Sequence, residues 1–248
     1  MKLKELLKDI VATPIVIDVN INGLCIDSRQ LKPGDLFFAY PGVHRDRRQF
    51  IAEAVEVGAA AILVEVADQP DLPEHVGIPL IPVMNLRDKA GEIASRFYGE
   101  PSKKLTVVGV TGTNGKSSVV HLAAQALELL GKRSAAISTI VASQTTPDAL
   151  TIQSMLAEYV QQGIEYALIE VSSHALVQGR VNGVAFDYAV FTNLTRDHLD
   201  YHGDMKAYAL AKYRLFTFPM LKAAVINEDD PLGAEWITNI SSVLPVCS

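Results

Sequence analysis

Residues 109–120 read GVTGTNGKSSVV. Gly115-Lys116-Ser117 ahead of an apolar stretch has the form of a phosphate-binding loop. The usual pattern, G-x-x-x-x-G-K-[ST], wants glycine at 110, where this chain has Val110 with Gly109 beside it. The flanking sequence decides the reading. KLTVVGV (104–110) predicts a strand, and KSSVVHLAAQALELLG (116–131) predicts a helix closed by Gly131. In a strand–loop–helix setting, the backbone N–H groups of Gly112 to Lys116 can wrap a phosphate and the helix N-terminus adds its dipole. Lys116 then supplies a cation to the β- and γ-phosphates, Ser117 a hydroxyl for Mg²⁺, and Val110 ends the strand.

Working outward, RSAAIST (133–139), YALIEVSS (166–173), YAVFTNL (188–194) and AAVIN (223–227) are further apolar runs. PDALTIQSMLAEYVQQG (147–163) and DMKAYALAKYRLF (204–216) have helical periodicity. Buried strands alternating with helices predict an α/β fold with a doubly wound, mostly parallel sheet, whose ligands bind at the C-terminal strand ends. SSVLPVCS (241–248) reads as a last strand. Upstream, GLCI, DLFFAY, AAILVE and PLIPVM surround one helical stretch, FIAEAVEVGAAA (50–61), and predict a smaller α/β unit. The expected division is an N-terminal domain over 1–88, a connecting helix and linker over 89–105, and a P-loop domain over 106–248.

Composition narrows the function. The chain has 248 residues, 49% of them hydrophobic, and a formal charge of −6. That charge argues against broad nucleic-acid binding. No apolar run approaches the roughly 20 residues needed to span a bilayer. MKLKELLKDI lacks the apolar core of a signal peptide, so a cytoplasmic protein is expected. Cys25 and Cys247 lie far apart, outside any C-x-x-C pair, and predict idle thiols.

Other strand tips carry polar residues. Glu170 ends YALIE, where an acid beside a P-loop reaches Mg²⁺. Ser172, Ser173 and His174 follow without a G-x-S-x-G elbow, which favours substrate-binding hydroxyls over a hydrolase. RDHLDYHG (196–203) places two His and two Asp beyond the next strand.

TGTNGKSS (111–118), TTPDA (145–149), EVSSHALVQGRV (170–181), FTNLTRDHLDYHG (191–203) and AKYRLF (211–216), in that order, resemble the Mur ligases. The branch resembled adds the third amino acid of the peptidoglycan stem. The resemblance implies an ATP-dependent amide ligase. In that reaction the γ-phosphate passes to a substrate carboxylate, an amine attacks the acyl phosphate, and ADP and phosphate leave. Its implied substrates are UDP-N-acetylmuramoyl-L-alanyl-D-glutamate and meso-diaminopimelate or L-lysine, its cofactors ATP and Mg²⁺, and its state a monomer. It implies ATP contacts at Gly112, Thr113, Asn114, Gly115, Lys116, Ser117, Ser118 and Asn227, and Mg²⁺ near Ser117, Glu170 and His198. Lys212 is carbamylated by CO₂ in the family and becomes an anionic metal ligand; its helix alone would mark it as a solvated lysine. The UDP substrate is implied at Ile26, Ser28, Val43, His44, Arg45, Thr145, Thr146, Ser172, Gln178 and Arg180.

Departures from the family are also legible. STIVASQ (138–144) is shorter than the usual segment, and Asp46-Arg47 replaces an Asp-Gly turn, which a positive φ would strain. The family's C-terminal domain has no counterpart here, so binding without turnover is expected. Two alternatives remain: a non-catalytic nucleotide- or UDP-sugar-binding module, and another amide ligase of the folylpolyglutamate synthase and Mur superfamily.

Overall fold

The computed structural model describes residues 1–12, 14–42, 45–67, 77–139 and 146–248. The chain divides into two compact units, Met1–Phe97 and Tyr98–Ser248.

In the first unit, helix α1 (Leu3–Leu7) precedes strands β1 (Gly23–Cys25) and β2 (Asp35–Ala39). Helix α2 (Ile51–Val57), strands β3 (Ala61–Glu65) and β4 (Leu80–Val83), and helix α3 (Leu86–Phe97) follow. The strands lie in the order β1-β2-β3-β4, all parallel. Strands β2 and β3 are buried along their whole length, as their apolar runs LFFA and AILV require. Helix α2 stops earlier than its alanine-rich sequence predicts. Gly58 takes φ +97° and caps it, so Ala59 and Ala60 lead into β3.

Glu65 ties this unit together at the end of β3. Its carboxylate is buried and accepts from four backbone N–H groups: Val66 at 3.0 Å, Ala67 at 2.9 Å, Asn85 at 3.0 Å and Leu86 at 2.6 Å. Asn85 precedes α3 and Leu86 begins it, so one side chain joins a strand end to a helix start.

In the second unit, β5 (Thr106–Thr111) leads to helix α4 (Lys116–Leu129). Strand β6 (Ser134–Ile137), helix α5 (Ala149–Gln161), strand β7 (Tyr166–Glu170) and helix α6 (Ser173–Val177) come next. Strand β8 (Tyr188–Phe191), helices α7 (Leu199–His202) and α8 (Met205–Tyr213), strand β9 (Ala223–Ile226), helix α9 (Pro231–Ile240) and strand β10 (Val246–Cys247) complete it. The six-stranded sheet has the order β10-β9-β8-β5-β7-β6, and every pairing is parallel. The chain leaves β5 toward one edge and later returns to its other side with β8. A crevice therefore opens outside the carboxyl end of β5, where ligands of such sheets bind.

Gly109 belongs to packing and not to the loop. A Cβ there would lie 2.8 Å from the Phe186 ring and 3.0 Å from Leu215. The helix α9 was not foreseen. Asp230 caps it, accepting from Leu232 N–H at 2.9 Å, and Trp236 and Ile240 on one face are buried in the core. The final strand is shorter than SSVLPVCS suggested, comprising Val246 and Cys247. Among the described residues, no helix is long and apolar enough to cross a membrane.

Replacing Glu65 by Gln leaves at least one of its four N–H groups without an acceptor. The expected loss is about 1–3 kcal/mol of stability, read as a lower denaturation midpoint. An unchanged midpoint would show that those donors find other partners.

Candidate functional site

The loop between β5 and α4 is held from one side by the segment after β8. Thr113 N–H donates to the Asn193 carbonyl at 2.8 Å, and Asn114 N–H donates to Asn193 Oδ1 at 3.0 Å. Thr192 Oγ1 and Asn193 Nδ2 donate to the Asn114 carbonyl at 2.7 and 3.1 Å. Gly112 has φ +151°, and a Cβ on it would sit 1.9 Å from Thr192 Oγ1, so only glycine allows this approach. With Thr113 and Asn114 N–H engaged, the donors left for an anion are those of Gly115 and the first turn of α4, including Lys116, Ser117 and Ser118.

Glu170 faces this turn. In the sheet it pairs in register with Val110, the penultimate residue of β5. Its side chain is buried, and Oε2 accepts from Ser117 Oγ at 2.9 Å and Thr139 Oγ1 at 3.0 Å. Lys116 Nζ donates to the Thr113 carbonyl at 2.7 Å and lies 3.9 Å from Glu170 Oε1. Burial lowers the Lys116 pKa, opposed by the charges of Glu170 and Asp197. A carboxylate and two hydroxyls, all hard oxygen donors, suit Mg²⁺.

Lys212 is no solvated lysine. It is 1% exposed, and its Nζ donates to the Gly112 carbonyl at 2.6 Å. It also lies 4.4 Å from the centre of the Tyr208 ring. Burial, reinforced by the charge of Lys116, lowers its pKa from 10.5 to about 7. Tyr208 Oη in turn meets Thr113 Oγ1 at 3.2 Å.

A second network lies beyond β7. Thr146 Oγ1 donates to the Glu170 carbonyl at 2.8 Å and accepts from Ser172 N–H at 3.1 Å. Arg180 donates to the Thr146 carbonyl at 2.8 Å and, through two nitrogens, to Gln178 Oε1 at 2.9 and 2.6 Å. Gln178 Nε2 donates to Tyr201 Oη at 3.2 Å. Tyr201 stacks on His174 at 4.2 Å, and His174 meets His198 edge-on at 4.8 Å. Burial and the neighbouring His198 and His202 lower the His174 pKa.

Residues 110–244 match the Mur ligase middle domain, and residues 20–98 match the Mur ligase family, catalytic domain. The chain belongs to the Mur ligase family. The UDP-N-acetylmuramoyl-L-alanyl-D-glutamate–2,6-diaminopimelate ligase of Pseudomonas aeruginosa is 50% identical over 225 residues, covering 87% of this chain and 46% of that protein. The enzyme of the same name from Xylella fastidiosa strain Temecula1 is 47% identical over 253 residues, covering 98% of this chain and 50% of its own. A solved structure of such a ligase superposes with TM-score 0.82 at 33% identity, over 99% of this chain and 51% of the other. The chain thus spans about half the length of the curated relatives it matches. A MurF ligase from Thermotoga maritima shares the fold, with TM-score 0.66 at 21% identity over 90% of this chain and 49% of the other.

Among the positions that the Mur ligase resemblance implies, Lys116, Ser117 and Glu170 converge, and Lys212 is fixed to the same loop at Gly112. Thr146, Ser172, Gln178 and Arg180 form the second network. His198 stands apart from Glu170's hydrogen bonds. It has φ +52°, and its ring nitrogen lies 3.5 Å from Asp197. Asn227 donates to the Thr192 carbonyl at 2.8 Å, behind the loop. In the first unit, Ser28 is buried, Ile26 is half-buried and Arg45 is exposed. Val43, His44 and Thr145 lie outside the described residues. The chain-specific Arg47 is not strained: its φ is negative, and it opens a 3₁₀ turn, Arg47–Phe50, capped by Asp46. Sequence reasoning missed Thr139, Asn193 and Tyr208. Only their places just beyond a strand, or one turn before Lys212, could have marked them.

Between pH 7 and about 10.5 the unfolded chain binds a proton at Lys212 that the folded chain does not. Stability is therefore expected to rise with pH through that window. In CO₂-free buffer, Lys212→Met should flatten the rise, measured by denaturation at each pH. An unaltered slope would mean that Lys212 keeps its proton when buried.

Proposed function

We propose that this chain supplies the UDP-substrate and ATP-binding units of a cytoplasmic ligase of peptidoglycan precursor synthesis. The ligase adds the third amino acid to UDP-N-acetylmuramoyl-L-alanyl-D-glutamate, releasing ADP and phosphate. The relatives named above act with 2,6-diaminopimelate, which favours it over lysine here. The observation that carries the reading is the convergence of Lys116, Ser117 and Glu170 on the first turn of α4, with Lys212 buried against the same loop.

The chain's own groups perform three tasks. The N–H donors of the α4 turn and the Lys116 ammonium hold the ATP phosphates and orient the γ-phosphoryl group toward a substrate carboxylate. Glu170 and Ser117 would hold Mg²⁺, together with a carbamate on Lys212. When bound, the metal neutralises charge on the transferring phosphoryl group. Lys212 is suited to carbamylation because a pKa near 7 leaves much of it as free amine near neutral pH. The ammonium first loses one proton; the free amine attacks CO₂, a C–N bond forms and a second proton is released, so that a cation becomes an anion. Arg180, oriented by Gln178, and Ser172 bind the UDP-muramoyl-dipeptide. No protein nucleophile is required, because the acyl phosphate forms on the substrate itself.

Calorimetry with ATP–Mg²⁺ and with UDP-N-acetylmuramoyl-L-alanyl-D-glutamate tests the assignment. Lys116→Ala is expected to abolish measurable ATP binding and to spare the UDP substrate; near-normal ATP affinity sinks the loop assignment. Arg180→Ala is expected to weaken the UDP substrate about ten- to a hundredfold, from the loss of one charged hydrogen-bonding group, and to spare ATP. Equal loss of both ligands would make Arg180 a structural residue.

A further inference from the structure

The first unit ends its β2 strand in a concentration of arginines that the second unit does not have. Beyond β2, Tyr40 is buried. Pro41 and Asp46 form an antiparallel bridge, and Gly42 N–H donates to the Arg45 carbonyl at 2.8 Å. Two guanidinium groups converge on the Tyr40 ring, Arg47 at 5.2 Å and Arg87 at 5.9 Å from its centre. Arg87 reaches there from the first turn of α3 and donates to the Pro41 carbonyl. The Arg47 guanidinium packs close to Gly42, where an added Cβ would sit 2.6 Å from its Nη1.

The nearby carboxylates are committed elsewhere. Asp46 is bonded to Arg48 at 2.6 Å, and Asp27, beyond β1, is bonded to Arg29 at 2.6 Å. Asp27's carboxyl is held below its ordinary range chiefly by Arg29, with a smaller contribution from Arg47. Arg47 is therefore near enough to Asp27 for its charge to be felt there. Among the described residues, neither Arg47 nor Arg87 has a carboxylate partner. Two like charges are thus gathered around one aromatic ring, at the carboxyl edge of a parallel sheet, in a chain of net charge −6. Such a pair repels itself unless an anion joins it. Planar guanidinium forks match phosphate oxygens in pairs.

We propose that Arg47 and Arg87, seated on Tyr40, form a clamp for the diphosphate of a uridine nucleotide, here the UDP moiety of the substrate. The inference rests on the UDP-substrate reading above and adds the two residues that recognise its charge. Tyr40 holds both side chains in place, so less rotamer freedom is lost when the anion binds.

Titrating UDP and uridine separately into the chain, with ATP–Mg²⁺ as a control for folding, tests it. Arg47→Gln and Arg87→Gln are each expected to weaken UDP about tenfold, the loss of one charge-assisted contact, and to leave uridine and ATP affinities unchanged. Arg47→Lys keeps the charge without the fork and should recover part of the loss. Unchanged UDP affinity in Arg47→Gln overturns the clamp while leaving the UDP reading intact. Equal weakening of UDP and uridine also overturns it, because the arginines would then only shape the pocket. If the unaltered chain binds neither UDP nor uridine while ATP still binds, the UDP reading falls and the clamp with it. Should Arg87→Gln fail to fold, having lost its Pro41 bond, Arg47→Gln decides alone.

Discussion

One buried carboxylate organises the second unit. Glu170 stands opposite Val110 in a parallel ladder, so its position relative to the loop is set by backbone register and not by side-chain flexibility. An ionised group removed from water costs several kcal/mol unless its lone pairs are used. Ser117, Thr139 and Lys116 use them, from two segments: the α4 turn for Lys116 and Ser117 and the end of β6 for Thr139. Slipping β7 by one residue would turn Glu170 to the opposite face of the sheet and orphan all three. The register of an apolar strand thus fixes the geometry of a polar site.

Lys212 extends this logic with the opposite sign. A buried ammonium with Lys116 close enough to repel it is unfavourable, and the Gly112 carbonyl and the Tyr208 ring offset only part of the cost. The depressed pKa is the visible consequence. Such a lysine is poorly explained as a stabilising element, since an apolar residue would fill the space with no desolvation penalty. It is well explained as a reactive amine kept partly deprotonated, whose conversion to an anion would turn its repulsion with Lys116 into attraction. Fastening its helix to the loop backbone also makes the position of α8 part of the loop's conformation.

Much of this was legible in the chain. The parallel sheet followed from unbroken apolar runs separated by helices, and the loop from Gly115-Lys116-Ser117 between a strand and a helix. Other features depend on contacts between residues far apart in sequence. Gly109 sits beside the position where a loop glycine was sought, yet it makes room for Phe186 and Leu215, partners about 80 and 100 residues later in the chain. Helix α9 carried its signal in Asp230-Pro231, a cap followed by a first-turn proline, but PLGAEWITNI is short and its glycine weakens the periodicity. Lys212 read as a surface lysine because amphipathic spacing does not reveal that its face is covered. Local pattern encodes elements; burial of a charge emerges only once the elements pack.

The two units place ligand-facing residues at the same kind of edge but balance charge differently. At the carboxyl ends of β5 and β7, the cation Lys116 has a carboxylate within 3.9 Å, and an incoming phosphate must compete for that lysine. At the end of β2, Arg47 and Arg87 have an aromatic ring and, for Arg87, a backbone carbonyl, neither of which neutralises charge. A site of the first kind favours a metal-accompanied anion, because bringing a cation with the phosphate preserves the balance around Glu170. A site of the second kind favours a bare anion, whose charge replaces one that is missing. Net charge describes the surface as a whole, and here it conceals a local field of the opposite sign. The distinction is chemical: a triphosphate travels with Mg²⁺, whereas the phosphoanhydride of a nucleotide sugar can be held by arginine alone.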